Sequence, residues 1–114
     1  MNELEGRHIR SAARLLKALA NERRLAILCH LGRGEMRVGV LADAVGLSQS
    51  ALSQHLAKLR ADGLVRTRRE GQTIVYALAS ADVSAVIGVL AELYCGTPPG
   101  SSSSNQPTHR ETTP

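Results

Sequence analysis

The sequence predicts a mainly α-helical domain carrying one β-hairpin. Apolar residues recur at helical spacing in several separate stretches, Asn21 and Ser48 stand where helix caps are needed, and after Gly63 two β-prone runs flank a Gly-containing turn. With 114 residues there is room for one domain. The apolar residues are almost all aliphatic, with no Phe or Trp and only Tyr76 and Tyr94. An Ala/Leu/Val core of this size is thin, so burying helix faces against a second copy of the chain is favoured.

The elements follow in order. Residues 1–6 are polar and are expected to be flexible. Residues 7–20 carry Ile9, Ala12, Ala13, Leu16, Leu19 and Ala20 at helical spacing. Asn21 caps a second helix with Glu22 in its first turn, holding Leu25, Ile27, Leu28 and Leu31 and ending at Gly32 and Gly34. A short extended piece, Glu35-Met36-Arg37, leads to a third helix over residues 38–45, and Gly46-Leu47 makes a turn. Ser48 caps a fourth helix that runs to about Asp62 and stops at Gly63. Residues 64–69 and 72–78 form the hairpin. Residues 82–94 form the last helix, with Val83, Val86, Ile87, Leu90 and Leu93 apolar. The ordered domain is thus expected over 7–96. Residues 97–114, opening Thr97-Pro98-Pro99-Gly100 and then four serines, cannot bury a core and are expected to be disordered.

The order helix, turn, capped helix, hairpin is that of a winged helix-turn-helix, α1-α2-(β1)-α3-α4-β2-β3-α5. Leu41, Val45, Leu47, Leu52, Leu56 and Leu59 supply its buried seam, Ala42 is small where two helices cross, and Gly46 permits a left-handed turn. Leu52, Leu56 and Leu59 face inward at i, i+4 and i+7. Gln49, Ser50, Ser53, Gln54 and Lys58 lie largely on the other side, as small or amide-bearing hydrogen-bonders near the end that a recognition helix places in the major groove. A plain amphipathic helix has the same pattern. The basic cluster is the second observation: Lys58, Arg60, Arg66, Arg68 and Arg69 fall within twelve residues against one acid, Asp62. Charge alone also describes a solvated face, but a wing holding Arg66, Arg68 and Arg69 beside such a helix is placed to meet phosphates or the minor groove. The reading from the residues is therefore a binder of double-stranded DNA, with Ser48 and His55 completing the candidate surface.

The stretch Gly46-Leu47-Ser48-Gln49-Ser50-Ala51-Leu52-Ser53-Gln54-His55-Leu56, followed by Leu59-Arg60-Ala61-Asp62-Gly63-Leu64-Val65, resembles the ArsR/SmtB repressors. So do Ala20-Asn21-Glu22-Arg23-Arg24-Leu25 and Arg69-Glu70-Gly71-Gln72-Thr73-Ile74-Val75-Tyr76. The resemblance spans about residues 12–96. It implies a homodimer joined through the first and last helices, with Ile9, Leu16, Val86, Leu90 and Leu93 at the interface. It also implies a palindromic operator and release of DNA when an inducer alters the dimer.

Many members of that family sense metals. The positions of its third-helix thiolate site match Arg37 and Gly39 here. Its last-helix site matches Asp82, but Ser84, Cys95 and Pro98 stand where it has His, His and an acid. One carboxylate and one thiol do not make a tetrahedral zinc site, and His8, His30, His55 and His109 show no ligand spacing. No metal or cofactor is expected. Cys29 inside the second helix and Cys95 near the end of the last resemble the family's persulfide- and oxidant-sensing subgroup, the BigR, SqrR and HlyU type. There the pair is thought to close into a disulfide or a longer sulfur bridge, and reactive sulfur species or oxidants act as inducer. Chemistry leaves the alternative open: Cys29 is also a fitting small core residue, and a helix C-terminus disfavours a Cys95 thiolate.

The opening residues lack a basic stretch followed by an apolar one, and the most apolar run, 83–91, is too short to span a bilayer. A cytoplasmic protein with no membrane partner is the expectation, and its two cysteines do not read as a structural staple. The alternatives are a metal-responsive repressor of the same family, a small thiol oxidoreductase, a protein-binding winged helix and a non-specific nucleoid protein. An enzyme of the thiol class would favour a Cys-x-x-Cys pair, and none occurs.

Overall fold

A computed structural model describes residues 2–95, except the side chain of Cys95. The expected tail, 97–114, lies outside the described residues. The elements are α1 (Glu3–Leu19), α2 (Glu22–Leu31), β1 (Met36–Arg37), α3 (Val38–Val45), α4 (Gln49–Ala61), β2 (Val65–Glu70), β3 (Thr73–Leu78) and α5 (Ala81–Leu90), which continues into a π-helical turn, Ala91–Cys95.

Local chemistry sets most of these boundaries. Asn21 Oδ1 accepts from the Arg24 N–H at 3.1 Å, Ser48 Oγ from Ala51 at 3.1 Å and Ser80 Oγ from Val83 at 3.3 Å, each satisfying a donor that a helix start leaves unpaired. At the end of α3, Gly46 takes φ 71°, which lets the Leu47 N–H reach back to the Ala42 carbonyl at 3.1 Å and close the helix. Gly71, at φ 66°, opens the two-residue turn between the paired residues Glu70 and Thr73.

The expectation of a flexible 1–6 is corrected for residues 2–6. Helix α1 begins at Glu3, because Asn2 and Glu5 form a reciprocal capping box: Glu5 N–H to Asn2 Oδ1 at 2.7 Å, and Asn2 N–H to Glu5 Oε1 at 3.1 Å. The polar composition of the segment hid a helix start that the Asn-x-x-Glu spacing carries. The last helix starts one residue earlier than expected and gives way to a π turn at Ala91.

The sheet has the order β1-β3-β2 and is antiparallel throughout, pairing Met36 with Tyr76 and Thr67 with Tyr76 from the other side. The core lies between α2, α3, α4 and α5 and one face of this sheet. Ile27, Leu28, Leu41, Leu52, Leu56, Leu59 and Ile87 have no accessible surface. Burying a side chain of this size stabilises by roughly 1.5–3 kcal/mol. Ala42 is buried at the α3–α4 crossing, and Val45 and Leu47 pack against the cluster. Helix α2 approaches α5 closely: a Cβ on Gly32 would lie 2.9 Å from Ile87 Cγ2.

Candidate nucleic-acid interface

Helix α4 presents two faces. Leu52, Leu56 and Leu59 are fully buried, while Gln49, Ser50, Ser53, Gln54 and Lys58 are all exposed and His55 is half-buried. The apolar i, i+4, i+7 stripe pins the helix to the core and leaves the polar side outward, its N-terminal end free of covering structure. Ser48 is exposed, but its hydroxyl is the helix cap, so its first duty is to the backbone of Ala51. The Gln49 amide nitrogen lies over the start of α3, 3.6 Å from where a Cβ on Gly39 would stand, an ordinary contact distance.

The wing divides its arginines between two faces. Strand residues alternate sides, so Arg66, Arg68 and Glu70 share the face opposite the core, and Val65, Thr67 and Arg69 the other. Arg66, Arg68 and Glu70 are paired with Ala77, Val75 and Thr73. On that outer face the register sets Arg37 of β1 and Arg68 of β2 on either side of Val75, which is 4% exposed and lies outside the main core cluster. Two carboxylates complete the arrangement. Arg68 donates from Nε to Glu35 Oε1 at 3.0 Å, and its Nη2 also contacts that oxygen. Its Nη1 reaches Glu70 Oε2 at 3.4 Å, and Arg37 Nη2 donates to Glu70 Oε1 at 3.1 Å. The four charges form a chain, Arg37–Glu70–Arg68–Glu35, that fastens the wing to β1 and hence to the start of α3.

These groups are half exposed, so water screens them and the chain acts as a geometric latch more than a source of stability. Its electrostatics follow the contacts. The hydrogen bond from Arg68 holds the Glu35 carboxyl below its ordinary value of 4.5, and the bond from Arg37 does the same for Glu70, aided by the charge of Arg68. Arg68 is raised, chiefly by its bond to Glu35. Arg66 and Arg69 make no ion pair with any described residue and are exposed. The three wing arginines, equivalent in the sequence, are therefore not equivalent in the fold.

The alternation of Arg66, Arg68 and Glu70 was readable as one face of a strand. Glu35 and Arg37 were not, because only the β1–β3 register brings them to the wing.

A family model described as bacterial regulatory protein, arsR family, matches residues 21–67, from the cap of α2 into β2. The transcriptional activator HlyU of Vibrio cholerae is 62% identical over 81 residues, covering 71% of this chain and 75% of that protein. The chain belongs to the ArsR family. Other members share the fold of this ArsR-family regulator. The solved structure of reduced HlyU from Vibrio cholerae superposes with a TM-score of 0.76 at 54% identity, covering 82% of this chain and 99% of that one. That of the transcriptional repressor BigR from Xylella fastidiosa gives 0.72 at 36% identity, covering 85% and 100%. A homodimeric winged helix-turn-helix DNA-binding domain from Mycobacterium bovis gives 0.71 at 36%, covering 81% and 85%. The winged helix-turn-helix architecture and the likeness to the BigR and HlyU subgroup are thus established, and the chain is a transcriptional regulator of that family.

Outside α4 and the wing, α1 and α5 carry exposed apolar residues: Ile9 is 55%, Leu16 62% and Leu93 51% exposed. Val86 and Leu90 are only partly buried, against the subunit's own core. Val89 and Tyr94, which were not among the expected interface residues, are exposed as well. Cys29 is buried in the core cluster, on the face of α2 that also bears Gly32 three residues on, while the backbone of Cys95 closes the π turn beyond α5. Among the described residues, no three His, Cys, Asp or Glu side chains gather as a metal site, and no helix is long and apolar enough to cross a membrane.

Proposed function

We propose that this regulator is a repressor that binds a palindromic operator as a homodimer and releases it when Cys29 and Cys95 of one chain are linked in response to reactive sulfur species or oxidants. Gln49, Ser50, Ser53 and Gln54 read base edges from the N-terminal half of α4, with His55 at its margin and Lys58 behind. Arg66 and Arg69 meet phosphate, and Arg68 keeps the wing in place. The dimer forms through α1 and α5, using Ile9, Leu16, Val86, Leu90 and Leu93. Its exposed leucines and isoleucine are the apolar surface that a thin-cored chain gains by covering.

The observation that carries the switch is the tight seating of α2 on α5 at Gly32 and Ile87. The helix holding Cys29 also supports α3 and α4, and the helix leading to Cys95 builds the dimer. A bond between them couples thiol chemistry to the separation of two recognition helices, and binding two half-sites one helical turn apart is sensitive to that separation. The chemistry balances with either inducer. A peroxide oxidises one thiolate to a sulfenic acid, from which the second thiol displaces water. A small persulfide passes its outer sulfur to one thiol, and the other then displaces hydrogen sulfide. A direct disulfide needs the two Cα atoms within about 7 Å; where both thiols have taken up a sulfur, one persulfide displaces hydrogen sulfide from the other and leaves a trisulfide, whose inserted sulfur relaxes that limit.

A gel shift on the DNA upstream of the gene tests this reading. The reduced protein should retard it, a persulfide should release it with an intrachain cross-link in the mass spectrum, and stoichiometric zinc should leave it bound. Cys29→Ser and Cys95→Ser should bind but not respond. Release with both thiols unmodified would refute the switch.

A further inference from the structure

The corner where α1 turns into α2 faces the C-terminal end of α4 across a cleft of about 370 Å³. Arg14, Lys17, Arg24 and Lys58 line it together with Asn21, and the one acid among the lining residues is Asp62. None of the four cations forms an ion pair with a described residue. Arg24 is the most telling: it is half-buried, and its Nε is shut away from solvent with no hydrogen-bond partner. A buried guanidinium donor left unpaired is costly, and four like charges around one cleft repel one another. In the wing latch, by contrast, Arg37 and Arg68 are each set against a glutamate. Here four cations face a single carboxylate, and the ten-residue helix α2, whose Arg24 N–H is capped by Asn21 and whose first turn carries Glu22, starts beside them.

We infer that this cleft is a phosphate-binding site. A phosphate oxyanion accepts several hydrogen bonds at once, suits the forked donors of Arg14 and Arg24, and relieves the repulsion among all four cations. The volume lies at the small end of pockets that hold small molecules. Two sources present that chemistry: a backbone phosphate of DNA flanking the region under α4, or a free phosphorylated small molecule. Lys58 lies one turn beyond Gln54 on α4, so the cleft adjoins the DNA-reading helix without including its N-terminal half. The site depends on neither the cysteines nor the base-reading residues.

The test titrates inorganic phosphate into the reduced full chain at constant ionic strength, followed by amide NMR. Saturable shifts are expected at residues 21–24 and 58–62, and Arg24→Gln and Lys17→Gln should each weaken binding at least about tenfold, with Arg24→Lys partly restoring it. In parallel, anisotropy with a 30-bp duplex of arbitrary sequence gives the salt dependence of DNA binding. If the source is the DNA backbone, Arg14→Gln and Lys17→Gln lower the slope of log K against log salt by about one each. If phosphate saturates and that slope is unchanged, the site takes a free phosphorylated molecule. Arg14 and Lys17 are exposed, so their variants keep the test valid should Arg24→Gln unfold. No saturable phosphate shift together with an unchanged salt slope in the folded variants would overturn the proposal.

Discussion

Arg66, Arg68 and Arg69 show how one residue type takes different parts within four positions. Arg68 shares its guanidinium between Glu35 and Glu70, whereas Arg66 and Arg69 have no carboxylate partner among the described residues. Replacing Arg66 or Arg69 with Ala should weaken binding to all duplexes alike and flatten log K against log salt by about one unit per lost phosphate contact. Arg68→Ala should instead loosen the wing, visible as faster amide exchange along β2, with a smaller change in salt slope. Equal slopes for all three variants would contradict this division. The latch is also pH-dependent. Glu35 and Glu70 both have carboxyls lowered from 4.5, so their contribution is present above that value and is lost as pH falls through the depressed folded values. Acid titration by NMR should therefore show β1 and the wing separating at a pH below 4.5, while Glu35→Gln should weaken the latch already at neutral pH.

Helix α2 packs on α5 through Gly32. It ends the helix at φ −65°, a conformation open to any residue, so its conformational freedom is not what the site needs. What it lacks is a Cβ, which would stand 2.9 Å from a fully buried Ile87. Gly32→Ala should cost about 1–3 kcal/mol by overpacking the α2–α5 contact, read from urea unfolding, despite the higher helix propensity of Ala. A stabilised protein would show that Ile87 yields at no cost. Read from the sequence, Gly32 was only a stop signal. The capping box at Asn2 and Glu5 is the opposite case, a local signal legible in the sequence that composition obscured.

The proposed dimer depends on surfaces that a single chain leaves open. Leu93 is half exposed and makes little use of its own subunit's core, so Leu93→Glu should preserve the fold by circular dichroism and yet give a monomer by sedimentation. Operator affinity should fall steeply with it, because half-sites read by separate subunits lose the gain of being joined. Leu90 is a less clean probe, since it is packed partly against its own core. A stable dimer of the Leu93 variant would move the interface off the end of α5.

The sequence by itself determined the order of the elements and, apart from the start of α1 and the end of α5, their bounds to within a residue, together with the left-handed turn at Gly46, the buried Leu52–Leu56–Leu59 stripe and the outward residues of α4. These rest on periodicity and on hydrogen bonds made within a few residues, which local spacing specifies. Only the tertiary structure decided which charges meet. Glu35 and Arg68 are 33 positions apart, as are Arg37 and Glu70, and strand register alone brings each pair together. The same holds for the cationic cleft, whose lining comes from α1, α2 and α4, and for the contact between Gly32 and Ile87. A side chain's partners across such distances depend on how helices and strands pack, and no spacing along the chain encodes that geometry.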